Sequence, residues 1–346
     1  MAKENGASDL HLSPFSPPLI RIDGRMRRAK LPALSAQDVH MLVYNLMTDD
    51  ERKKFEEELE LDFAYEYAGI GRYRVNVFKG LRGDTAVLRA VTNKMYTFND
   101  LGLPEIIKDL VTREKGLILV TGPTGSGKST SLNTMVDYIN GNYRRHIITI
   151  EDPVEFVHDS KLSLVNQREV GPNTKSFSRA LRSALREDPD VIVVGEMRDL
   201  ETTGLAITAA ETGHLVFGTL HTMSAAKTID RIIDQYPADR QSQIRTMLAE
   251  SILAIISQVL MPKRGGGRVA AYEIMIGTAA VRNLIREGKT YQIPSVQQTS
   301  GKLGMTTLGQ SLLSLISSGQ IERKDALHIA ADSEEIKKQI EKTSGT

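Results

Sequence analysis

The sequence predicts an α/β domain built around a phosphate-binding loop, preceded by a smaller α+β domain. Three observations predict it. From residue 105 onward, short apolar runs alternate with amphipathic stretches, the pattern of a mostly parallel sheet with helices on both faces. One such run, Gly116–Thr121, leads directly into Gly122, Pro123, Thr124, Gly125, Ser126, Gly127, Lys128, Ser129 and Thr130, which fit G-x-x-x-x-G-K-[ST] without a gap. Before residue 98, strand-like alternation and two helical stretches make a different, smaller unit.

The first domain is assigned to residues 1–97. Leu10–Leu12 and Leu19–Ile22 read as short strands, with Asp23-Gly24 as a hairpin turn. Leu34–Met47 has helical spacing behind Ser35 as N-cap, and Asp49–Leu59 is a second, highly charged helix. Leu61–Tyr67, Arg72–Phe78 and Thr85–Val91 read as an antiparallel meander. Residues 98–104 are expected to be a linker, and residues 105–346 the second domain with a helical C-terminal region. Its strands are expected at Leu117–Val120, Ile147–Ile150, Leu164–Asn166, Val191–Val194 and Leu215–Thr219. Gln241–Leu260 is expected to be one long amphipathic helix and Arg268–Met275 a further strand.

Composition removes several classes. With 44 Lys+Arg against 43 Asp+Glu the net charge is +1, so no global field recruits nucleic acid or anionic lipid. There is no cysteine, which excludes disulfides and a Cys-ligated zinc module. No apolar run is long enough for a membrane-spanning helix, and the first residues carry no apolar signal core. The basic cluster Arg25–Lys30 reads as a solvated hairpin flank.

The phosphate loop sits between a predicted strand and a predicted helix. Its glycines let backbone N–H groups cradle phosphate oxygens, and the helix N-terminus adds positive potential. Lys128 is placed to reach the β- and γ-phosphates and Ser129 to hold Mg²⁺, so the expected ligands are ATP and Mg²⁺. Four more motifs narrow the chemistry. Val191–Val194 ends in Gly195-Glu196, where an Asp is common; Glu196 is placed to orient or deprotonate the attacking water. Ile150-Glu151-Asp152-Pro153-Val154-Glu155 puts carboxylates at the end of the preceding strand, suited to hold Mg²⁺ through its waters. His214 and His221 flank the next strand and are expected to sense the nucleotide. Arg182 and Arg186 are i,i+4 before Asp188-Pro189-Asp190, and Arg74 and Arg89 lie on neighbouring predicted strands. From the bare sequence these four arginines read as surface charges.

Taken together, Gly122–Thr130, Ile150–Phe156, Gly195–Thr202 and Thr212–Thr222 resemble the ATPases of type II secretion and type IV pili, which carry a Walker A, an Asp box, an atypical Walker B and a His box in that order. Within them, Ser8–Leu12 and Ala280–Glu287 resemble signatures of the PilT-type retraction group. The resemblance runs from about residue 7 to about 330 and implies a PAS-like domain joined to a RecA-like ATPase domain. It implies a homohexamer at the cytoplasmic face of the inner membrane, peripheral to it, hydrolysing ATP to withdraw a type IV pilus in twitching motility. An inner-membrane PilC-like platform protein and paralogous ATPases are the implied partners, and nucleic acid is not one.

The resemblance carries Lys128 and Ser129 over as phosphate and Mg²⁺ contacts. Glu196 becomes the catalytic glutamate, Glu151 and Glu155 the Asp-box residues, and His214 and His221 the His-box residues. Arg74 and Arg89 match the paired arginines of the N-terminal domain, and Arg182 and Arg186 a second pair. Arg282, Asn283, Arg286 and Glu287 are implied to serve retraction rather than hydrolysis. The chain departs from the pattern in its short start before Ser8, in Met223, and in Gly204, which is expected to loosen its helix. An assembly or secretion ATPase, a nucleotide-binding accessory ring subunit and a RecA-like DNA motor are the rival readings.

Overall fold

The structure is a computed structural model that describes residues 6–22, 25–67, 70–91, 95–330 and 334–342. The expected Asp23-Gly24 turn and the first five residues lie outside these. The chain divides into two compact units, Met1–Lys94 and Met95–Thr346.

Unit 1 is a six-stranded antiparallel sheet carrying two helices, the small α+β domain the sequence predicts. Its elements are β1 (Asp9–Leu12), β2 (Leu19–Ile22), β3 (Arg25–Arg28), α1 (Ala36–Leu46), α2 (Asp49–Glu58), β4 (Glu60–Tyr67), β5 (Gly71–Gly80) and β6 (Gly83–Ala90). The sheet order is β3-β2-β1-β6-β5-β4. Ser35 and Thr48 each close a capping box, with Asp38 and Glu51 reaching back to the cap N–H. Val39, Val43 and Phe55 point from the helices onto Val75, Val77, Ala86 and Leu88 of the sheet.

Unit 2 opens with α3 (Phe98–Leu101) and α4 (Ile106–Val111), then β7 (Gly116–Thr121), α5 (Lys128–Asn142), β8 (His146–Glu151), β9 (Leu164–Glu169) and α6 (Phe177–Ala184). It continues through β10 (Val191–Val194), α7 (Leu200–Thr212), β11 (Leu215–Leu220), α8 (Ala225–Ile233), α9 (Ala238–Ser251), β12 (Ile252–Pro262) and β13 (Arg268–Ile276). Five helices follow: α10 (Ala279–Arg286), α11 (Ile293–Thr299), α12 (Leu308–Ser317), α13 (Arg323–Ile329) and α14 (Glu334–Lys342). The seven strands order as β13-β12-β7-β11-β10-β8-β9, parallel except for the β12–β13 pair. The central strands are buried throughout and mostly apolar because helices cover both faces of the sheet.

Three expectations change. Residues 98–104, expected to be a linker, contain α3, and Phe98 and Leu103 are buried in the unit 2 core. The long helix expected over Gln241–Leu260 ends at Ser251, and Ile252–Pro262 is a strand between β7 and β13. Its mostly apolar composition, with Ile at 252, 255 and 256 and Val at 259, suits a strand buried on both faces. α7 runs unbroken through Gly204, where a Cβ would stand 3.2 Å from the Tyr236 hydroxyl, so the glycine makes room for that ring. Tyr236 in turn donates to the Leu200 carbonyl at 3.3 Å.

Candidate functional site

Parallel pairing brings four strand ends to one edge of the unit 2 sheet. β7 runs in register with β11, Thr121 against Leu220, and β10 pairs with both β11 and β8. The phosphate loop, Glu151, Glu196 and His221 therefore all leave the sheet at its carboxyl edge, where open α/β sheets bind ligands.

The loop is held in a nest. Gly122, Gly125 and Gly127 have φ of 141°, 79° and 87°. A Cβ on Gly122 would lie 2.3 Å from the Gln258 carbonyl oxygen, so only glycine lets the loop pass β12, whereas Gly125 faces open space. Lys128 is buried at the start of α5, and its Nζ donates to the carbonyls of Gly122 at 2.8 Å and Pro123 at 3.0 Å. Burial pushes its ammonium below the usual lysine range, against the opposing pull of Glu196 and then Glu155. Those two carboxylates thus act on the loop cation. The buried Ser126 hydroxyl has no hydrogen-bond partner among the described residues. A glycine cradle, a loop cation and an unsatisfied hydroxyl fit a phosphate chain.

Glu196 is fixed from both neighbouring strands. The Gly195 N–H donates to the Ile150 carbonyl at 2.7 Å, the Thr219 hydroxyl donates to the Gly195 carbonyl, and the Met197 N–H donates to the Thr219 carbonyl at 3.0 Å. A Cβ on Gly195 would stand 3.0 Å from the Ile150 oxygen. This crowding accounts for a glycine where the common pattern has Asp. The Glu196 carboxylate meets Arg198 at 2.6 Å and His221 Nε2 at 3.2 Å. Burial pushes the carboxyl up, but Arg198 and then His221 outweigh it and hold it below the usual range. Glu196, Arg198, His221, Arg231 and Gln235 line a cleft of about 390 Å³.

Arg198 lowers the pH at which Glu196 takes up a proton. A group acting as a carboxylate loses activity as pH falls through its pKa. Without Arg198 that pKa rises, so Arg198→Ala moves the acid limb of the turnover–pH profile to higher pH; an unmoved limb contradicts the pairing.

Glu151 is buried, and its Oε1 accepts from the Thr149 hydroxyl at 2.6 Å and the Gln167 amide at 3.1 Å. Burial raises its pKa despite these bonds. Glu155 is exposed at the same edge. Among the described residues, no cluster of three His, Asp or Glu side chains forms a metal cage.

Not every expected residue joins the site. His214 precedes β11 at the opposite edge of the sheet, roughly 23 Å from His221 at about 3.3 Å per residue. Its Nδ1 lies 3.0 Å from the Ala209 carbonyl, so it caps α7 rather than facing the loop of its own chain. Arg182 pairs with Glu201 on α7. Arg186 lies beyond α6, which ends at Ala184, so the expected shared helical face does not form. Asp188 with φ 53° and Pro189 stop the helix. In unit 1, Arg74 and Arg89 stand directly opposite each other on β5 and β6, both exposed, and Arg89 donates to the buried Asp9 at 2.9 Å. In α10, Val281 and Ile285 are buried, Arg282 donates to the Ile252 carbonyl at 3.3 Å, and Asn283 donates to Glu287 at 2.7 Å. Arg198, Thr219 and Gln258 also shape the site, though no motif singles them out. Arg198 was discoverable two residues after Glu196, but Thr219 and Gln258 act across strands.

A family profile described as "Type II/IV secretion system protein" matches residues 1–267. A relative described as "Type IV pilus retractation ATPase PilT" from Pseudomonas aeruginosa is 59% identical over 93% of this chain and 94% of its own length. A "Twitching motility protein" from Neisseria gonorrhoeae is 53% identical over 92% of this chain and 86% of its own length. The crystal structure titled "Pilus Retraction Motor PilT and Bound ADP" superposes with a TM-score of 0.91 at 51% identity, covering 96% of each chain.

Proposed function

Because this chain belongs to the type II/IV secretion system protein family, we propose that it is an ATP-hydrolysing ring motor that retracts a type IV pilus. The observation that carries hydrolysis is Glu196, held ionised at the carboxyl edge beside the phosphate loop. The direction of the work rests on likeness, over more than nine tenths of the chain, to a retraction ATPase and a retraction-motor structure.

ATP enters with its phosphates in the 122–130 loop, and the Lys128 ammonium exchanges the carbonyls of Gly122 and Pro123 for β- and γ-phosphate oxygens. Water attacks the γ-phosphorus in line; the new O–P bond forms as the bond to the β,γ-bridging oxygen breaks. Glu196 orients that water and receives its proton. A carboxylate held below its usual pKa is a weak base. That suffices here, since phosphoryl transfer through a loose transition state depends more on placement and charge than on base strength. His221 bridges to Glu196 and so reports whether the γ-phosphate is present.

Ser129, at the N-terminus of α5, would hold Mg²⁺, with Glu151 and Glu155 reaching its bound waters; a cation that keeps most of its waters suits one hydroxyl and two offset carboxylates. When bound, Mg²⁺ neutralises developing phosphate charge. Arg74 and Arg89 of a neighbouring copy complete the site in a hexamer, with Asp9 orienting Arg89. The ring works at the cytoplasmic face of the inner membrane against a platform protein.

Deleting the gene decides the direction of work. The expected result is surplus surface pili by electron microscopy, reversed by the wild-type chain and not by Arg282→Ala. Bald cells would make this an assembly ATPase.

A further inference from the structure

The geometry points to Gln258, on β12, as a positioning residue that sets the phosphate loop for nucleotide. β12 is last paired with β7 at Ser257 against Thr121. Gln258 is the next residue and stands beside the start of the loop. Its side chain is buried, and its Nε2 donates to the Ser126 carbonyl at 2.6 Å. Two loop glycines are shaped around it. A Cβ on Gly122 would meet the Gln258 backbone oxygen at 2.3 Å, and a Cβ on Gly127 would meet Nε2 at 3.1 Å. The Gln258 Oε1 has no hydrogen-bond partner among the described residues. A buried amide with half its capacity unused is a poor packing residue in a strand whose other members are mostly apolar. What the amide does have is the Ser126 carbonyl.

That bond has a directional consequence. In a planar trans peptide the C=O of one residue and the N–H of the next point in opposite directions. Fixing the Ser126 carbonyl toward β12 therefore turns the Gly127 N–H away from β12, into the hollow of the loop. Gly127 is the N-cap of α5, so this N–H is among the donors left free at the helix start. An anion in the loop uses such donors. Without Gln258, the Ser126–Gly127 peptide is free to turn about the Ser126 ψ and Gly127 φ bonds, and the donor is no longer held ready before nucleotide arrives. The side chain touches the loop and not the reacting atoms. Its loss should raise the Kd and KM for nucleotide and leave kcat nearly unchanged.

This rests on the reading of residues 122–130 as the phosphate cradle, and Lys128→Ala serves as its control. The full-length chain carrying Gln258→Met, similar in shape without the donor, is titrated with a fluorescent ADP analogue and assayed for phosphate release. The expected result is a Kd and KM raised about tenfold, the weight of one hydrogen bond, with kcat within twofold and the melting temperature without nucleotide little changed. Gln258→Asn, one methylene shorter, keeps the polarity but cannot span to Ser126 and should behave alike; it carries the test if the Met variant does not fold. Nucleotide binding within twofold of wild type in the folded variants overturns the proposal, as does a loss confined to kcat. If Lys128→Ala also binds as wild type, the cradle reading itself falls.

Discussion

Glutamine in place of Glu196 is expected to cut ATP turnover roughly a hundred- to ten-thousandfold, the usual range for a general base or water-orienting carboxylate, while ATP binding stays within a few-fold. The two side chains have nearly the same shape, so Gly195, Thr219 and Ile150 hold the backbone as before. What changes is the charge. The amide cannot take a proton from water, and it gives up the ion pairs to Arg198 and His221. Binding resides mainly in the loop and Lys128, which follow β7, one strand beyond β11 from Glu196. Phosphate release and fluorescent-nucleotide titration separate the two quantities. Equal release from wild type and variant would remove Glu196 from the chemistry.

Alanine at Gly122 is expected to abolish nucleotide binding at millimolar concentrations and to lower stability by about 2–4 kcal/mol. Its φ of 141° is one that L-residues rarely adopt. The new methyl group would also lie 2.3 Å from the Gln258 oxygen and 2.7 Å from Ser126 Oγ, so loop and strand must part. Gly125 is the internal comparison. It also has a positive φ, but nothing lies within 4 Å of its Cβ position, and Gly125→Ala should cost only the backbone strain of about 1–2 kcal/mol. Thermal unfolding with and without ADP checks both, and equal losses would contradict the close approach to β12.

Most of the candidate site was readable because its residues are local in sequence. The loop follows its strand and opens its helix, and Glu196 follows directly on β10. What was not readable depends on pairing between distant segments. No glycine or proline separates α9 from β12, so the sequence offers no break at Ser251, and Ile252–Pro262 becomes a strand only by lying between β7 and β13. Without that pairing, nothing in the sequence relates Gln258 to the loop. His214 and His221 look equivalent in one motif, yet the strand between them carries them to opposite edges of the sheet. The α6 end was misjudged because Arg182 and Arg186 have helical spacing, while the Asp188-Pro189 turn that ends the helix acts from beyond it.

We propose that hydrolysis at Glu196 powers pilus withdrawal. Time-lapse imaging of fluorescently labelled pili, in cells whose sole copy carries Glu196→Gln, tests it most directly. Pili are expected to extend and then not shorten, with the variant protein present at wild-type levels. Shortening at the wild-type frequency and speed would contradict it.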